Sequence, residues 1–199
     1  MIKQAMAMAM LVGYAGASFA QAQTIMINGV PIQITQVNTN GDGCAPGTVT
    51  ATATPDGNQV AILFRDYRAV TNAVNTVAGS DCNIAIGLAV ASGFSIGILG
   101  IDWRGSVVTS PGALVNFHRE FFFSGTRGAV SDDSWSRPGL QNFFLQDDPA
   151  FAVFSRCDGQ ALIARADTSA TVVGANSFFS LRSADVSARL LMTLNVRPC

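Results

Sequence analysis

The chain has 199 residues and a formal net charge of −1, and charged residues make up only 13% of it, about half the usual share. Its length fits one domain with a sizeable core. A nucleic-acid partner would require a basic surface, which this composition excludes, since Lys3 is the single lysine. The low charge, together with frequent Gly, Ser, Thr and Asn, is typical of an extracellular β protein.

Residues 1–22 have the pattern of a cleaved secretory signal peptide. Lys3 supplies the positive start, residues 5–15 form a short apolar segment, and small residues permit cleavage after Ala20 or Ala22. A spanning helix needs roughly 20 predominantly apolar residues, and this segment is too short and is interrupted by glycine. We therefore expect export to an extracellular or periplasmic location, with no membrane span.

The remainder of the chain is dominated by alternation of apolar and polar residues, the period of half-buried β-strands. Its first element is a hairpin over residues 25–32 with a turn at Asn28-Gly29. Pro31 places this hairpin at a sheet edge, because proline cannot donate to a ladder. Further alternating strands are predicted over residues 48–54, 83–90 and 186–196. Gly- and Pro-rich turns separate the strands, and no long segment has a helical period.

Two long polar stretches, residues 72–81 and 124–142, are predicted as loops. Loops of that length in compact domains are usually functional or mobile. Neither stretch has the composition of a linker that would divide the chain. The sequence therefore predicts one all-β domain over residues 23–199, a single antiparallel β-sandwich of jelly-roll type.

Four cysteines behind an export signal predict two disulfides. They are Cys44, Cys82, Cys157 and Cys199, and the last of them ends the chain. Four cysteines allow three connectivities. We predict Cys44–Cys82 and Cys157–Cys199, because this sequential pairing closes loops of similar size near strand ends. Each bridge would contribute roughly 3–4 kcal/mol in the chain-entropy model.

The cysteines and their neighbours resemble a family of secreted proteins, the domain of unknown function 4360. The resemblance covers about residues 33–199 and rests on seven short motifs in order. These are residues 43–49 (GCAPGTV), 55–57 (PDG), 81–84 (DCNI), 93–96 (GFSI), 102–105 (DWRG), 122–125 (FFSG) and 183–188 (SADVSA). The family usually has Tyr in place of Trp103 and Trp in place of Phe154. The resemblance implies a secreted, disulfide-linked β domain and no established activity.

His118 is the only histidine, and strand alternation places it on one face with Asn116 and Glu120. His118 and Glu120 could form an acid–base pair or part of a metal site. Zinc requires three or four protein ligands in most sites, and no second histidine or free thiol completes such a set. We therefore predict a solvated strand face. No Gly-x-Ser-x-Gly elbow accompanies the strand-then-helix pattern that a Ser-His-Asp hydrolase of this type would show.

Two adjacent acidic pairs, Asp132-Asp133 and Asp147-Asp148, are predicted to lie in loops. Adjacent residues of a strand point to opposite faces, so only a loop would let either pair act together. In that setting they could serve a glycosidase or bind calcium. We predict plain turn-forming aspartates and no cofactor, with calcium as the alternative.

The most distinctive local motif is Asp102-Trp103-Arg104-Gly105, which we predict at a strand end. In a structural interpretation, Asp102 and Arg104 share a face and form a charged pair, and Gly105 makes a bulge. In a binding interpretation, Trp103 is an exposed platform for a sugar or peptide, oriented by its charged neighbours. The sequence favours the structural interpretation.

The predicted function is that of a secreted, non-enzymatic β domain that binds a glycan or protein ligand or forms part of an extracellular structure. One alternative is a carbohydrate-active or other hydrolytic domain that uses loop carboxylates. Another is a secreted peptide-binding or inhibitor module. Most phenylalanines are expected in the core, so exposure of Phe122 together with Phe143 or Phe144 would indicate a partner surface.

Overall fold

A computed structural model describes residues 23–54, 59–124, 128–148, 153–159, 161–181 and 189–199. The predicted signal peptide, residues 1–22, lies outside these ranges. So do the motif residues 55–57, 125 and 183–188.

Fourteen β-strands and one short 3-10 turn, Asp42–Cys44, make up the regular structure of the described residues. The strands are β1 (Gln23–Ile27), β2 (Val30–Asn40), β3 (Val49–Ala53), β4 (Gln59–Phe64), β5 (Arg68–Val70), β6 (Val77–Val90), β7 (Phe94–Thr109), β8 (Leu114–Phe123), β9 (Ala129–Trp135), β10 (Gly139–Asp147), β11 (Val153–Phe154), β12 (Leu162–Val173), β13 (Phe178–Ser180) and β14 (Arg189–Pro198). None of the helical segments in the described part of the chain is long and apolar enough to cross a bilayer.

The strands form two antiparallel sheets. A six-stranded sheet has the order β1-β2-β6-β12-β8-β9. An eight-stranded sheet is built on β7, which pairs with β14 and β13 along one edge and with β10 and β11 along the other. On its far side β14 continues to β4 and β3, and β13 continues to β5. The prediction of an all-β antiparallel sandwich is confirmed.

The core lies between the two sheets and is rich in aromatic side chains. Phe117, on the inner face of β8, has its ring centroid 5.5 Å from that of Trp103, 4.7 Å from that of Phe179 and 6.3 Å from that of Phe143. Tyr67 joins the same cluster and packs on Phe179 at 5.8 Å. Burial of each such side chain stabilises the fold by roughly 1.5–3 kcal/mol. Packing within this cluster therefore contributes strongly to holding the two sheets together.

The two disulfides join Cys44 to Cys82 and Cys157 to Cys199, the pairing predicted from the sequence, with Cα–Cα distances of 5.2 and 6.0 Å. The first ties the 3-10 turn to β6. The second ties down the chain end, where the amide of Cys199 also donates to the carbonyl of Gly93 at 2.9 Å. No free cysteine is present among the described residues.

The predicted first hairpin is confirmed. Asn28 and Gly29 adopt positive φ values of 52° and 80° between β1 and β2, the backbone that an Asn-Gly hairpin turn requires. Strand β1 is an edge of the six-stranded sheet, and Pro31 lies on β2, one residue before the pairing of β2 with β6 begins.

The two predicted loops are largely wrong. Residues 124–142 contain all of β9 and the start of β10, and residues 72–81 contain the start of β6. Strand β9 is polar because it is a sheet edge with one face in solvent, and because its inner face carries a paired aspartate, Asp133. Polar composition therefore concealed a strand whose hydrogen bonds come from β8.

Candidate functional site

The Asp102–Gly105 motif lies within β7 rather than at a strand end. Trp103 faces the core and is fully buried, and its indole N–H donates to Asp147 Oδ2 at 2.7 Å. The interpretation of Trp103 as an exposed platform is therefore wrong. The physical reason is strand alternation: Ile101, Trp103 and Val107 share the buried face of β7.

Asp102 and Arg104 share the outer face of the eight-stranded sheet, but they do not form the predicted charged pair. Asp102 accepts a hydrogen bond from Gln146 Nε2 at 3.3 Å. The Arg104 guanidinium lies 4.7 Å from the ring centroid of Phe144. Both partners stand directly opposite on β10, where side chains are nearer than at i+2 along one strand.

The predicted bulge at Gly105 is also absent. Gly105 pairs in register with Phe143 of β10. A Cβ at this position would lie 2.5 Å from Phe143 Cζ and 2.5 Å from the carbonyl oxygen of Ser180. Glycine is present here because the core and the neighbouring strand approach the backbone closely.

One exposed surface combines an aromatic ring with several polar groups, and we call it the Phe144 face. It consists of Asp102 and Arg104 on β7 with Asn142, Phe144 and Gln146 on the edge strand β10. Phe144 is 49% exposed. Phe122 is half-buried and Phe143 is buried. The condition that was to indicate a partner surface is therefore met at Phe144 only.

The Phe144 face is arranged before any ligand binds. The cation–π contact with Arg104 covers one side of the ring and holds its orientation. The Nε of Arg104 is buried without a hydrogen-bond partner. Two side-chain amides and one carboxylate supply both donors and acceptors around the ring. The surface can therefore offer an apolar contact and directed hydrogen bonds to the same ligand.

A second, polar face lies on the outside of the six-stranded sheet. His118 Nδ1 is 2.7 Å from Asp132 Oδ1, and both side chains are exposed. Ser134 donates to Asn116 on the same face at 2.7 Å. The His118 ring thus lies on a wet strand surface, and its partner is a carboxylate on the neighbouring strand rather than Glu120.

Glu120 stands opposite Asp167 of β12 in the sheet register. Burial raises the pKa of Asp167, the charge of Arg165 opposes that rise, and the charge of Glu120 adds to it. One Arg165 nitrogen is 3.7 Å from Asp167 Oδ1. Sequence analysis missed Asp167, although alternation along β12 places it outward. Only the pairing of β8 with β12 brings the two carboxyl groups together.

A buried ionic network joins the two sheets inside the sandwich. Arg119 of β8 faces the core and donates to Asp147 of β10 through Nε at 2.8 Å and through Nη2 at 3.0 Å. Its Nη2 also donates to Asp133 of β9 at 2.7 Å. Burial alone would lower the pKa of Arg119, but its hydrogen bonds with Asp147 and Asp133 raise it.

Three of the four paired aspartates lie on strands rather than in loops as predicted, whereas Asp148 lies just beyond β10 and is exposed. Asp132 and Asp133 are on β9, with Asp132 turned outward to His118 and Asp133 turned inward to Arg119. Asp147 ends β10 and faces the core. No group of three His, Cys, Asp or Glu side chains in the described ranges could hold a metal ion. The strand positions of Asp132, Asp133 and Asp147 differ from the loop positions that the calcium alternative assumed.

Comparison with known proteins finds a curated relative and several solved structures of low sequence identity. An uncharacterized secreted protein of Arthroderma benhamiae is 25% identical over 167 residues, which are 81% of this chain and 64% of the relative. The chain thus spans just under two thirds of that protein's length.

TmCBM61, solved in complex with beta-1,4-galactotriose, is 9% identical and aligns over 82% of this chain and 88% of its own, with a TM-score of 0.23. A GH31 alpha-xylosidase from Xanthomonas citri is 8% identical and aligns over 90% of this chain and 27% of its own, with a TM-score of 0.18. Scores this low assign neither a ligand nor an activity to this chain.

The model of one protein family matches residues 31–199, which include both disulfides and every strand from β3 onward. The disulfides themselves are those of an oxidising compartment. The resemblance that the sequence motifs indicated is confirmed, and the chain belongs to the family described as domain of unknown function DUF4360.

Proposed function

We propose that this protein is a secreted, non-enzymatic binding module and that its ligand is a glycan, bound at the Phe144 face. The observation that carries the proposal is the half-exposed ring of Phe144, held by Arg104 at 4.7 Å on a surface lined with hydrogen-bonding groups. A single exposed apolar side chain is ordinary on a protein surface. The feature that supports a binding site is the combination of the exposed ring with polar groups placed around it, since such groups orient a ligand.

The chemistry of the face suits a sugar better than an apolar peptide. A sugar ring presents C–H groups on its face and hydroxyl groups around its edge. Phe144 offers the apolar contact, while Asn142, Gln146 and Asp102 stand within one or two strand positions of it. Hydroxyl groups both donate and accept hydrogen bonds, as this mixture of amides and a carboxylate requires.

The place of action proposed is the cell exterior. Two disulfides with no free cysteine in the described ranges support an oxidising compartment. The relative from Arthroderma benhamiae is described as secreted, which supports the same location. The predicted signal peptide at residues 1–22 agrees with export and is tested by determining the N-terminus of the purified protein.

A glycan array with the purified protein tests the proposal, and Phe144→Ala is the decisive variant. Loss of the ring should weaken glycan binding about ten-fold or more, which corresponds to about 1.4 kcal/mol, within the range expected for removal of a well-packed aromatic contact. Met26→Ala is the matched control, because Met26 is 52% exposed on the outer face of the six-stranded sheet. It should leave binding unchanged.

Equal loss of glycan binding in both variants, or no binding by the unaltered protein, would contradict the proposal. A peptide array run in parallel covers the inhibitor or peptide-binding alternative. Selective peptide binding that requires Phe144 would mean that the Phe144 face is the binding site but that its ligand is a peptide rather than a glycan.

A hydrolytic function is the second candidate, and one observation favours it. Glu120 and Asp167 lie opposite each other on the neighbouring strands β8 and β12, and the pKa of Asp167 is raised by burial and by the charge of Glu120. A carboxyl group with a raised pKa next to a second carboxyl group is the arrangement that a glycosidase requires. Release of reducing ends from an array-positive glycan, abolished by Glu120→Gln or Asp167→Asn, would establish this activity in place of simple binding.

A further inference from the structure

One end of the sandwich carries most of the large apolar side chains that the described residues expose. Four connections cross between the sheets at this end, over residues 71–76, 110–113, 136–138 and 174–177. We call these connections, with the strand residues that adjoin them, the apolar end. Its exposed apolar side chains are Val70, Val74, Val77, Leu114, Leu140 and Val173.

The apolar side chains form one row on each outer face of the sandwich. On the eight-stranded sheet the row runs Leu140, Val108, Phe178 and Val70 across β10, β7, β13 and β5. On the six-stranded sheet it runs Leu114, Val173 and Val77 across β8, β12 and β6. The next outward row of each sheet is polar, with Asn142 and Ser106 on one and Asn116 and Thr171 on the other. The apolar surface is therefore a band one row deep around the end.

Val74 projects beyond this band from a tight turn. The Asn72 side-chain oxygen accepts hydrogen bonds from the amides of Val74 and Asn75, each at 2.8 Å, and the amide of Asn72 donates to the carbonyl of Asn75 at 3.0 Å. This turn leaves Val74 87% exposed. Folding gains almost nothing from an aliphatic side chain in that position, so the turn presents it to something outside the domain.

The connections are also hydrogen-bonded to one another. Thr71 and Ser177 exchange backbone and hydroxyl hydrogen bonds at 2.9 to 3.1 Å. The amide of Ser110 donates to the hydroxyl of Ser177 at 3.0 Å, and the amide of Gly174 donates to the carbonyl of Thr76 at 2.8 Å. The end is thus preformed, and little conformational entropy would be lost when its surface is covered.

Charge at the apolar end has one sign. The segments 68–77, 106–116, 134–142 and 171–180 contain Arg68 and Arg137 but no Asp or Glu, although the chain as a whole has one more acidic than basic residue. Arg68 Nε lies 3.1 Å from Asp66 Oδ1, which offsets its charge, and Arg137 is exposed. An anionic surface would therefore be attracted to this end mainly by Arg137.

We propose that the apolar end seats in an anionic lipid bilayer and that the protein docks on membranes by this end. Rigid partners cover one face of a domain, whereas here apolar rows stand on two opposite outer faces, separated by sheets that pack about 10 Å apart. A fluid medium that surrounds the end can bury both rows at once. A band one residue row deep, followed by polar rows, fits shallow insertion at the boundary of headgroups and acyl chains.

Vesicle sedimentation with the purified protein tests the proposal. The protein should pellet with vesicles of phosphatidylcholine and phosphatidylglycerol, and more weakly with phosphatidylcholine alone, because the arginines add attraction to anionic lipid. Val74→Ser and Leu140→Ser should each lower the partition coefficient about ten-fold, since each removes an aliphatic side chain from the bilayer. Arg137→Gln should weaken binding about five-fold on anionic vesicles and leave binding to neutral vesicles unchanged.

The matched control is Val130→Ser. Val130 is 56% exposed, close to the 66% of Leu140, but it pairs with Glu120 in the polar part of the six-stranded sheet. The Val130→Ser variant should pellet with anionic vesicles to the same extent as the unaltered protein. All of these positions are exposed, so the substitutions should leave the fold intact, and unchanged urea midpoints verify this for each variant.

Three outcomes would overturn the proposal. One is failure of the unaltered protein to pellet with either vesicle type. Another is equal loss of vesicle binding in Val130→Ser and Leu140→Ser. The third is a dimer in sedimentation velocity that Val74→Ser dissociates, since the apolar end would then be an interface between two copies. Glycan binding at the Phe144 face should survive Val74→Ser, so the two proposals fail independently.

Discussion

Replacement of Asp147 by asparagine tests whether the buried ionic network holds the two sheets together. Asp147 accepts three hydrogen bonds, two from Arg119 and one from the Trp103 indole, at 2.7 to 3.0 Å. The substituted amide would keep the shape of the side chain but would lack its negative charge and would turn an NH₂ group towards one of its donors. Arg119 would then remain buried with Asp133 as its only carboxylate partner.

The expected cost follows from the burial of the pair. Removal of one partner of a buried ion pair costs about 3–5 kcal/mol, because it leaves an uncompensated charge out of water. That is a large share of a total stability of about 5–15 kcal/mol. For a domain of this size each kcal/mol shifts the melting temperature by about 2–4 °C, so Tm should fall by about 6–20 °C.

Asp133→Asn is the matched control, because it removes a carboxylate from the same guanidinium. The Asp133 side chain is 37% exposed, against 5% for Asp147, and water can replace much of what is lost. We expect a cost of about 1 kcal/mol or less, as for solvent-exposed ion pairs. Arg119→Met combined with Asp147→Leu should recover part of the stability, since an apolar pair leaves no buried charge, whereas the Trp103 indole N–H loses its acceptor.

The assay is urea unfolding of the oxidised protein, followed by tryptophan fluorescence and by circular dichroism. Both probes should report one transition, with an unchanged m-value in the variants. A cost below about 1 kcal/mol for Asp147→Asn would refute the reasoning, since it is well under the range for a buried pair. So would equal costs for Asp147→Asn and Asp133→Asn, because exposure would then play no part.

Two further predictions concern the core. Burial raises the pKa of Tyr67 above its ordinary value of 10.0. The unfolded chain therefore loses the Tyr67 proton first, and the free energy of unfolding should fall as pH rises above about 10. Urea midpoints at pH 9 and 11 measure this fall, and Tyr67→Phe should abolish the part of it that is due to Tyr67. Gly105→Ala should destabilise the fold by more than about 2 kcal/mol, because its Cβ would meet a backbone oxygen at 2.5 Å. Gly79→Ala is its control, with no neighbour nearer than 3.8 Å, and similar melting temperatures for both variants would contradict the prediction.

The fold class and the first hairpin could be predicted from the sequence because each depends on local chemistry, whereas the disulfide pairing was predicted from the order of the cysteines and the sizes of the loops they close. Alternation decides which side chains of one strand share a face, and an Asn-Gly pair accepts the positive φ angles of a tight turn. The same alternation correctly placed Asn116, His118 and Glu120 together on the outer face of β8. It also implied that Trp103 faces away from Asp102 and Arg104, which excludes the platform on which the binding interpretation relied.

Only the tertiary structure decided which faces meet. Arg104 contacts Phe144, and Arg119 contacts Asp147, across separations of 40 and 28 residues, and no local pattern specifies such pairs. The strand β9 was missed for the same reason. Its backbone pairs with β8 and its Asp133 side chain pairs with Arg119, and neither partner is visible in the local sequence. The apolar end arises when four distant connections are brought to one side of the sandwich. Periodicity along a strand is local information, whereas strand order and register are set by the packing of the whole chain.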